Sequence, residues 1–226
     1  LDLKAGGSVS LKAANEGDVS AAVAGMVTTA SPLLPSGAGL VIVSRNSVLG
    51  QAVATVSDTD LAAGGRLAVQ AANDAALSAT NSSLASAGTG LSIFSVATAS
   101  VFAYNTIGWD EPALTTQTSD DIDNAAGAVE DAANATALVT GSTLKVAGDA
   151  KLRGAMAAAL NAYVSNESAT STGGSAGGRV LATNRVNSNA RADLVDARSA
   201  DAAVLGTATV GGDLRLEASN EPSVIA

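Results

Sequence analysis

The residues best suited to chemistry in this chain gather in one interval. Between Arg66 and Lys145 there is no Lys or Arg, yet eight acids occur: Asp74, Asp110, Glu111, Asp120, Asp121, Asp123, Glu130 and Asp131. Clustered carboxylates are what a hard cation such as calcium wants. The stretch SDDIDNAAGAVE (119–130) mimics part of a calcium-binding loop. Ser119, Asp121 and Asp123 fall at its first, third and fifth positions and Glu130 at its twelfth, with Asn124 where glycine usually stands. Beside it lies Trp109, the one tryptophan, followed by Asp110 and Glu111. That trio suits a sugar-stacking platform, and equally a cap over a fold edge. The plainer reading of the acids is a solvated loop that keeps the protein soluble, with no cofactor at all.

Most other chemistries are excluded by composition. The chain has no His and no Cys, which removes Ser-His-Asp, Cys-His, histidine–zinc and thiolate sites. Its net charge is −9 with only 15% charged residues, a poor match to nucleic acid or an anionic bilayer. Val19–Ser44 and Ala75–Trp109 are uncharged and long enough to span a membrane. Both are rich in Gly, Ser, Thr and Asn, so buried strands are expected there, not membrane insertion. Asp2 and Lys4 stand where a cleavable leader would need an apolar run. GGSAGG (173–178) lacks the Lys-Ser/Thr of a phosphate loop, and TAT (207–209) has no copy at unit spacing, as an ice-binding Thr ladder would need.

What positions these residues is a repeat. LDLKAGGSVSLKAAN (1–15), TDLAAGGRLAVQAAN (59–73), TLKVAGDAKLRGAM (143–156) and TATVGGDLRLEASN (207–220) share one plan. Each has an alternating run, a small-residue corner ending in Gly7, Gly65, Gly148 or Gly212, and a second alternating run. Period-2 alternation marks strands with one buried face. In the last copy it points Leu214, Leu216 and Ala218 inward and Asp213, Arg215 and Glu217 outward. The glycines read as tight corners where a positive φ is cheap. Between the corners recur VSRNSV, FAYNTI and LATNRV, carrying Asn46, Asn105 and Asn184. These asparagines are expected to stack as hydrogen-bonded ladders at corners.

From glycine to Asn the steps are 46 − 7 = 39, 105 − 65 = 40 and 184 − 148 = 36; from Asn to the next glycine they are 19, 43 and 28. A coil of about twenty residues then makes each unit three stacked rungs. The expected fold is an all-β, parallel β-solenoid over 1–226, with unit starts at 7, 65, 148 and 212. It would have roughly ten coils in a rod of about 45–50 Å at about 4.8 Å per strand. The acidic insertion at 108–141 is a loop or one extra coil. An antiparallel sandwich is less well supported, because no Asn-Gly or Asp-Gly hairpin signal occurs. With 2% aromatic residues, the core must be thin and built of Ala, Val, Leu and Ile. The charge-poor blocks are expected to be buried on both faces, or else to form a sticky stripe for lateral packing.

The order apolar–x–x–Asn–x–Val/Ile, alternating run, Gly-Gly–x–Leu/Val–x–Leu/Val–x–Ala–x–Asn resembles repeats of very large bacterial surface proteins. These are the adhesin-like, filamentous-haemagglutinin-like β-strand-repeat proteins. Residues 39–73 and 177–194 leading into 206–220 carry the resemblance; the insertion departs from it. The resemblance implies a secreted, extracellular, right-handed solenoid acting as stalk, adhesin or matrix component. It supplies no ligand and no catalytic residue.

The functional expectation is a non-enzymatic structural or adhesive module. Its partners are neighbouring repeats or identical subunits end to end, with glycans or cell surfaces as further candidates. The alternative is a polysaccharide-binding or lyase-like solenoid using the acidic insertion.

Overall fold

The computed structural model describes residues 1–29, 36–87, 95–110, 129–130, 132–170, 174–195 and 208–225. Every element among them is a strand. A first turn runs β1 (Asp2–Ala5), β2 (Val9–Thr29), β3 (Ser36–Val48) and β4 (Ala52–Ser57). The second runs β5 (Asp60–Ala63), β6 (Leu67–Ala87) and β7 (Ser95–Ile107). It then takes a detour through β8 (Trp109–Asp110) and β9 (Val129–Glu130) before β10 (Ala133–Thr140). The third runs β11 (Thr143–Val146), β12 (Ala150–Thr170), β13 (Gly174–Gly177), β14 (Val180–Val186) and β15 (Ser188–Val195). A fourth begins with β16 (Ala208–Val210) and β17 (Leu214–Ile225).

Each of the first three turns adds one rung to each of four parallel sheets, and the fourth adds one to the first two. The first sheet is β1-β5-β11-β16, the long second sheet β2-β6-β12-β17, the third β3-β7 with β13 and β14, and the fourth β4-β10-β15. This is the topology of a parallel β-solenoid. The register settles the size of a turn. Asp2 pairs with Asp60, Asp60 with Thr143 and Leu144 with Ala208, offsets of 58, 83 and 64 residues. A whole unit is therefore one turn, not three rungs. The described chain makes three turns and starts a fourth, in place of about ten coils. Four strand levels stack to only about 15 Å at about 4.8 Å each.

The long sheet packs its first half on the fourth sheet and its second half on the third. The first half is filled by Leu67, Val69, Leu77, Leu152, Met156 and Leu160 against Ala and Val of the fourth sheet, with Leu61 and Leu144 of the first sheet closing the edge. The second half is thin: Ala85 and Ala87 meet Ala97 and Ala99, and Ala79 meets Ala103. Alanine contributes little apolar burial, whereas each buried Leu is worth about 1.5–3 kcal/mol. The thin half is thus the part that needs hydrogen bonds to hold it. The charge-poor blocks are not buried on both faces throughout. In β6 the outward residues stay partly or fully exposed, and only near the end of β7 are Phe102, Tyr104 and Thr106 buried on the outer side as well.

The glycine corners need Gly for a different reason from the one expected. None of Gly7, Gly65, Gly148 and Gly212 has a positive φ; among the described residues that conformation belongs to Asp58, Gly108 and Gly141. The corner glycines stack, each amide donating to the turn before it: Gly65 to Gly7, Gly148 to Gly65 and Gly212 to Gly148, at 3.0, 2.9 and 3.1 Å. A Cβ on Gly64 would lie 2.4 Å from the Gly6 carbonyl oxygen, and one on Gly211 2.3 Å from that of Ala147. Close approach of successive turns, not backbone freedom, favours glycine at Gly64 and Gly211, while the third turn accommodates Ala147 in the same column. The left-handed position is the corner from fourth to first sheet, where Asp58 and Gly141 stand at equivalent places.

Candidate functional site

The repeat asparagines come together as a column. Asn46 donates from Nδ2 to Asn105 Oδ1, and Asn105 to Asn184 Oδ1, each at 2.9 Å. The same amides bridge the two layers. Asn46 donates to the Ser78 carbonyl at 2.8 Å, Asn105 to that of Asn161 at 2.7 Å, and Asn184 to that of Ile225. An amide group has two N–H donors, so one serves the ladder and one the opposite sheet. The column lies within strands of the third sheet, facing inward, and not at a corner. Asn105 is fully buried, and a buried amide is tolerated because its polar atoms are matched.

A second set of asparagines does the same from the long sheet. Asn15 donates to Asn73 Oδ1 at 2.9 Å, and Asn73 donates to the Gly50 carbonyl at 2.7 Å. Met156 takes this position in the third turn and Asn220 in the fourth. The signal stood in the repeat itself, in KAAN, QAAN and EASN with GAM between them. In the thin half, Asn81 donates to Ser44 Oγ and to the Phe102 carbonyl, both at 2.7 Å, and Asn166 to the Ala99 carbonyl at 2.9 Å.

The acidic insertion is rooted at one point. Val48, Ile107 and Val186 share a register position, as do Ala52, Ala135 and Ala190. The steps between the two positions are 4, 28 and 4 residues, so the second turn carries 24 extra. These residues add no strand to the four parallel sheets among the described residues. They leave through Gly108, whose φ is +72° and whose added Cβ would lie 1.9 Å from the Asn187 carbonyl oxygen. They return at Ala133, whose amide donates to that same Asn187 carbonyl at 3.0 Å. Residues 133–140 are already β10, so the detour is shorter than 108–141. Its base is the antiparallel pair β8–β9, with Trp109 opposite Glu130 and Asp110 opposite Val129.

Trp109 joins three turns. Its carbonyl accepts from Ser47 Oγ of the first turn at 3.3 Å, and the Arg185 guanidinium of the third lies 4.1 Å from its ring centroid. One face of the indole is therefore covered by a cation. Of the expected calcium ligands, Ser119, Asp121 and Asp123 lie outside the described residues, as does Glu111. Among the described residues no three acids form a group able to hold a metal. Among the described residues no helix is long and apolar enough to cross a membrane.

The outer face of the long sheet carries further ion pairs. Lys151 pairs with Glu217 at 2.7 Å and Arg66 with Asp149 at 3.3 Å. The Lys151 hydrogen bond, with Arg153 and Arg215 nearby, holds the Glu217 carboxyl below its ordinary range. Around the corner, Asp2 raises the Lys4 ammonium in the same way. Two shallow grooves cross this face. One, of about 400 Å³, holds Arg66, Lys151 and Arg215; the other, of about 310 Å³, is floored by Ala76 and Ala159 beside Asp18. Compared with known proteins, the chain matches no family model, no curated sequence and no solved structure.

Proposed function

We propose that this chain is a non-enzymatic structural and adhesive repeat segment of a secreted or cell-surface protein, a stalk, adhesin or fibre subunit. The observation that supports this reading is the repeat itself, in which each turn is sealed by its neighbours. Inward-facing residues that are sealed in the middle turns are open at the first and last: Leu11 is 36% exposed and Leu216 46%, whereas Val69 and Leu152 in the same column are 0%. Such faces suit further turns or identical units laid on them, as in other one-dimensional repeat folds. Parallel crossovers favour right-handed coiling. Leu3 and Ala208 share a column through Leu61 and Leu144, so joining Leu205 of one copy to Leu1 of the next preserves register. This tandem chain should unfold in one transition at a higher denaturant midpoint than the single chain. Two transitions, or an unchanged midpoint, would count against stacking.

A second reading is favoured by the insertion: a polysaccharide-binding or lyase-like protein whose acids hold calcium and sugar beside Trp109. As the chain has one Trp, its fluorescence reports that site cleanly. A calcium-dependent change lost in Asp121→Asn/Asp123→Asn would support calcium binding. Release of unsaturated sugar from acidic polysaccharides, abolished by the same pair, would overturn the non-enzymatic reading.

A further inference from the structure

The outward side chains of the long sheet form bands that cross all four strands. The register aligns Lys12, Gln70, Arg153 and Glu217 in one column and Ser10, Ala68, Lys151 and Arg215 in the next. With the corner column of Arg66, Asp149 and Asp213, this band holds five of the chain's twelve cations against three acids, Glu217 being the third. Four residues further along the strands, Glu16, Asp74, Ala157 and Glu221 share a column, with Asp18 beside it. No cation stands in that second band. Between the bands runs a column of small residues: Ala14, Ala72, Ala155 and Ser219.

The acidic band does not suit an isolated sheet, whereas the basic band is partly compensated by its Lys151–Glu217 and Arg66–Asp149 ion pairs. Glu16 lies directly beside Asp74, and Lys151 directly beside Arg215. Like charges on adjacent strands destabilise a sheet unless something outside it compensates. The pattern is nevertheless self-complementary. Place a twofold axis along the small-residue column, parallel to the stacking direction, and the basic band of one copy faces the acidic band of the other. Lys12 then meets Glu16 of the second copy and Arg153 lies diagonally between Asp74 and Glu221, while Glu217 faces Glu221, so the match is one of net charge between the bands.

Shape agrees with charge. The same operation sets the columns of Arg66, Lys151 and Arg215 over the 310 Å³ groove of Asp18, Ala76 and Ala159. Long cationic side chains from one copy enter a trough of small residues on the other. The overlap is about eleven residues by four strands, or roughly 700 Å² per copy at about 3.3 Å per residue and 4.8 Å per strand. Standard-size interfaces bury about 600–1,000 Å² per partner.

We propose that the outer face of the long sheet is a pairing surface for a second copy of this chain. It joins two solenoids side by side with their stacking directions parallel. The contact is isologous, so it closes at two copies. It extends the structural reading above and fails separately from it: the tandem chain reports stacking through the ends, and neither band lies on an end.

Sedimentation of the intact chain tests the pairing. A monomer–dimer equilibrium should appear at about 0.01 M salt, where charges are screened over about 30 Å, and weaken at least about tenfold by about 1 M, where they are screened over about 3 Å. Lys12→Glu/Lys151→Glu/Arg153→Glu should sediment as a monomer, and so should Glu16→Lys/Asp74→Lys/Glu221→Lys. Mixed, the two should form a heterodimer, because each supplies the charge the other has lost. The mixture also controls for folding, since misfolded variants would not restore a discrete dimer. A monomeric native chain at low salt, a dimer that persists in either variant alone, or a mixture that stays monomeric would overturn the proposal.

Discussion

The second and third turns share their pattern with the fourth, yet they live in different environments. Val69, Leu152 and Leu216 occupy one column of the long sheet at 0%, 0% and 46% exposure. Gly64 is boxed in by the Gly6 carbonyl, while Gly6 itself would meet nothing within 4 Å. Burial in this fold is conferred by the neighbouring turn, not by the residue's place in its own unit. The same substitution should therefore cost much in the middle and little at the ends.

Leucine gives the widest separation. Leu152→Ala should lower unfolding stability by about 2–5 kcal/mol, the range for large-to-small changes in a sealed core. Leu216→Ala should cost under about 1 kcal/mol, because its side chain is already half in water. Equal losses in denaturant melts would mean that the fourth turn is covered in solution. Asn105→Ala comes next, at about 2–3 kcal/mol, since it removes three hydrogen bonds at about 1 kcal/mol each from a fully buried site. A loss near zero would show that the ladder is not formed. Gly64→Ala follows, at about 1–3 kcal/mol from forced backbone displacement, against no measurable change for Gly6→Ala. A symmetrical result would remove close approach as the reason for the corner glycines.

The smallest effect is electrostatic. Lys151→Ala removes the hydrogen bond that chiefly lowers the Glu217 carboxyl, so that group should titrate higher, nearer its ordinary value, by NMR. A lowered carboxyl adds stability above its unfolded-state value and loses it as pH falls through the folded-state value. The Lys151 variant should thus show a shallower acid dependence in that window. An unmoved Glu217 would mean that the ion pair is not made in water.

Much of this architecture was legible from residue order. Alternation through LAVQAAN and AKLRGAM predicts the long-sheet strands, and the spacing of Asn46, Asn105 and Asn184 singles out one column. The size of a turn was not legible. A strand usually runs about five or six residues, but β2, β6 and β12 each run 21. From Ala71 to Ala87 no Gly or Pro interrupts the alternation of small residues, so nothing marks where a shorter rung could turn. The gap after Asn105 revealed that an insertion exists, while its departure at Gly108 and return at Ala133 depend on contacts with Asn187 in another turn. The charge bands were invisible for a similar reason. Glu16 and Asp74 become neighbours only once the offset of 58 residues is known.

That offset can be measured with a disulfide. The chain has no Cys, and Ser10 pairs with Ala68 across adjacent strands with both side chains outward. If one unit is one turn, Ser10→Cys/Ala68→Cys should oxidise to an intramolecular disulfide, since bonded cysteines need Cα atoms about 4.4–6.8 Å apart. If each unit were three rungs, the two positions would stand about 14 Å apart at about 4.8 Å per rung, and both thiols would stay free under the same oxidant.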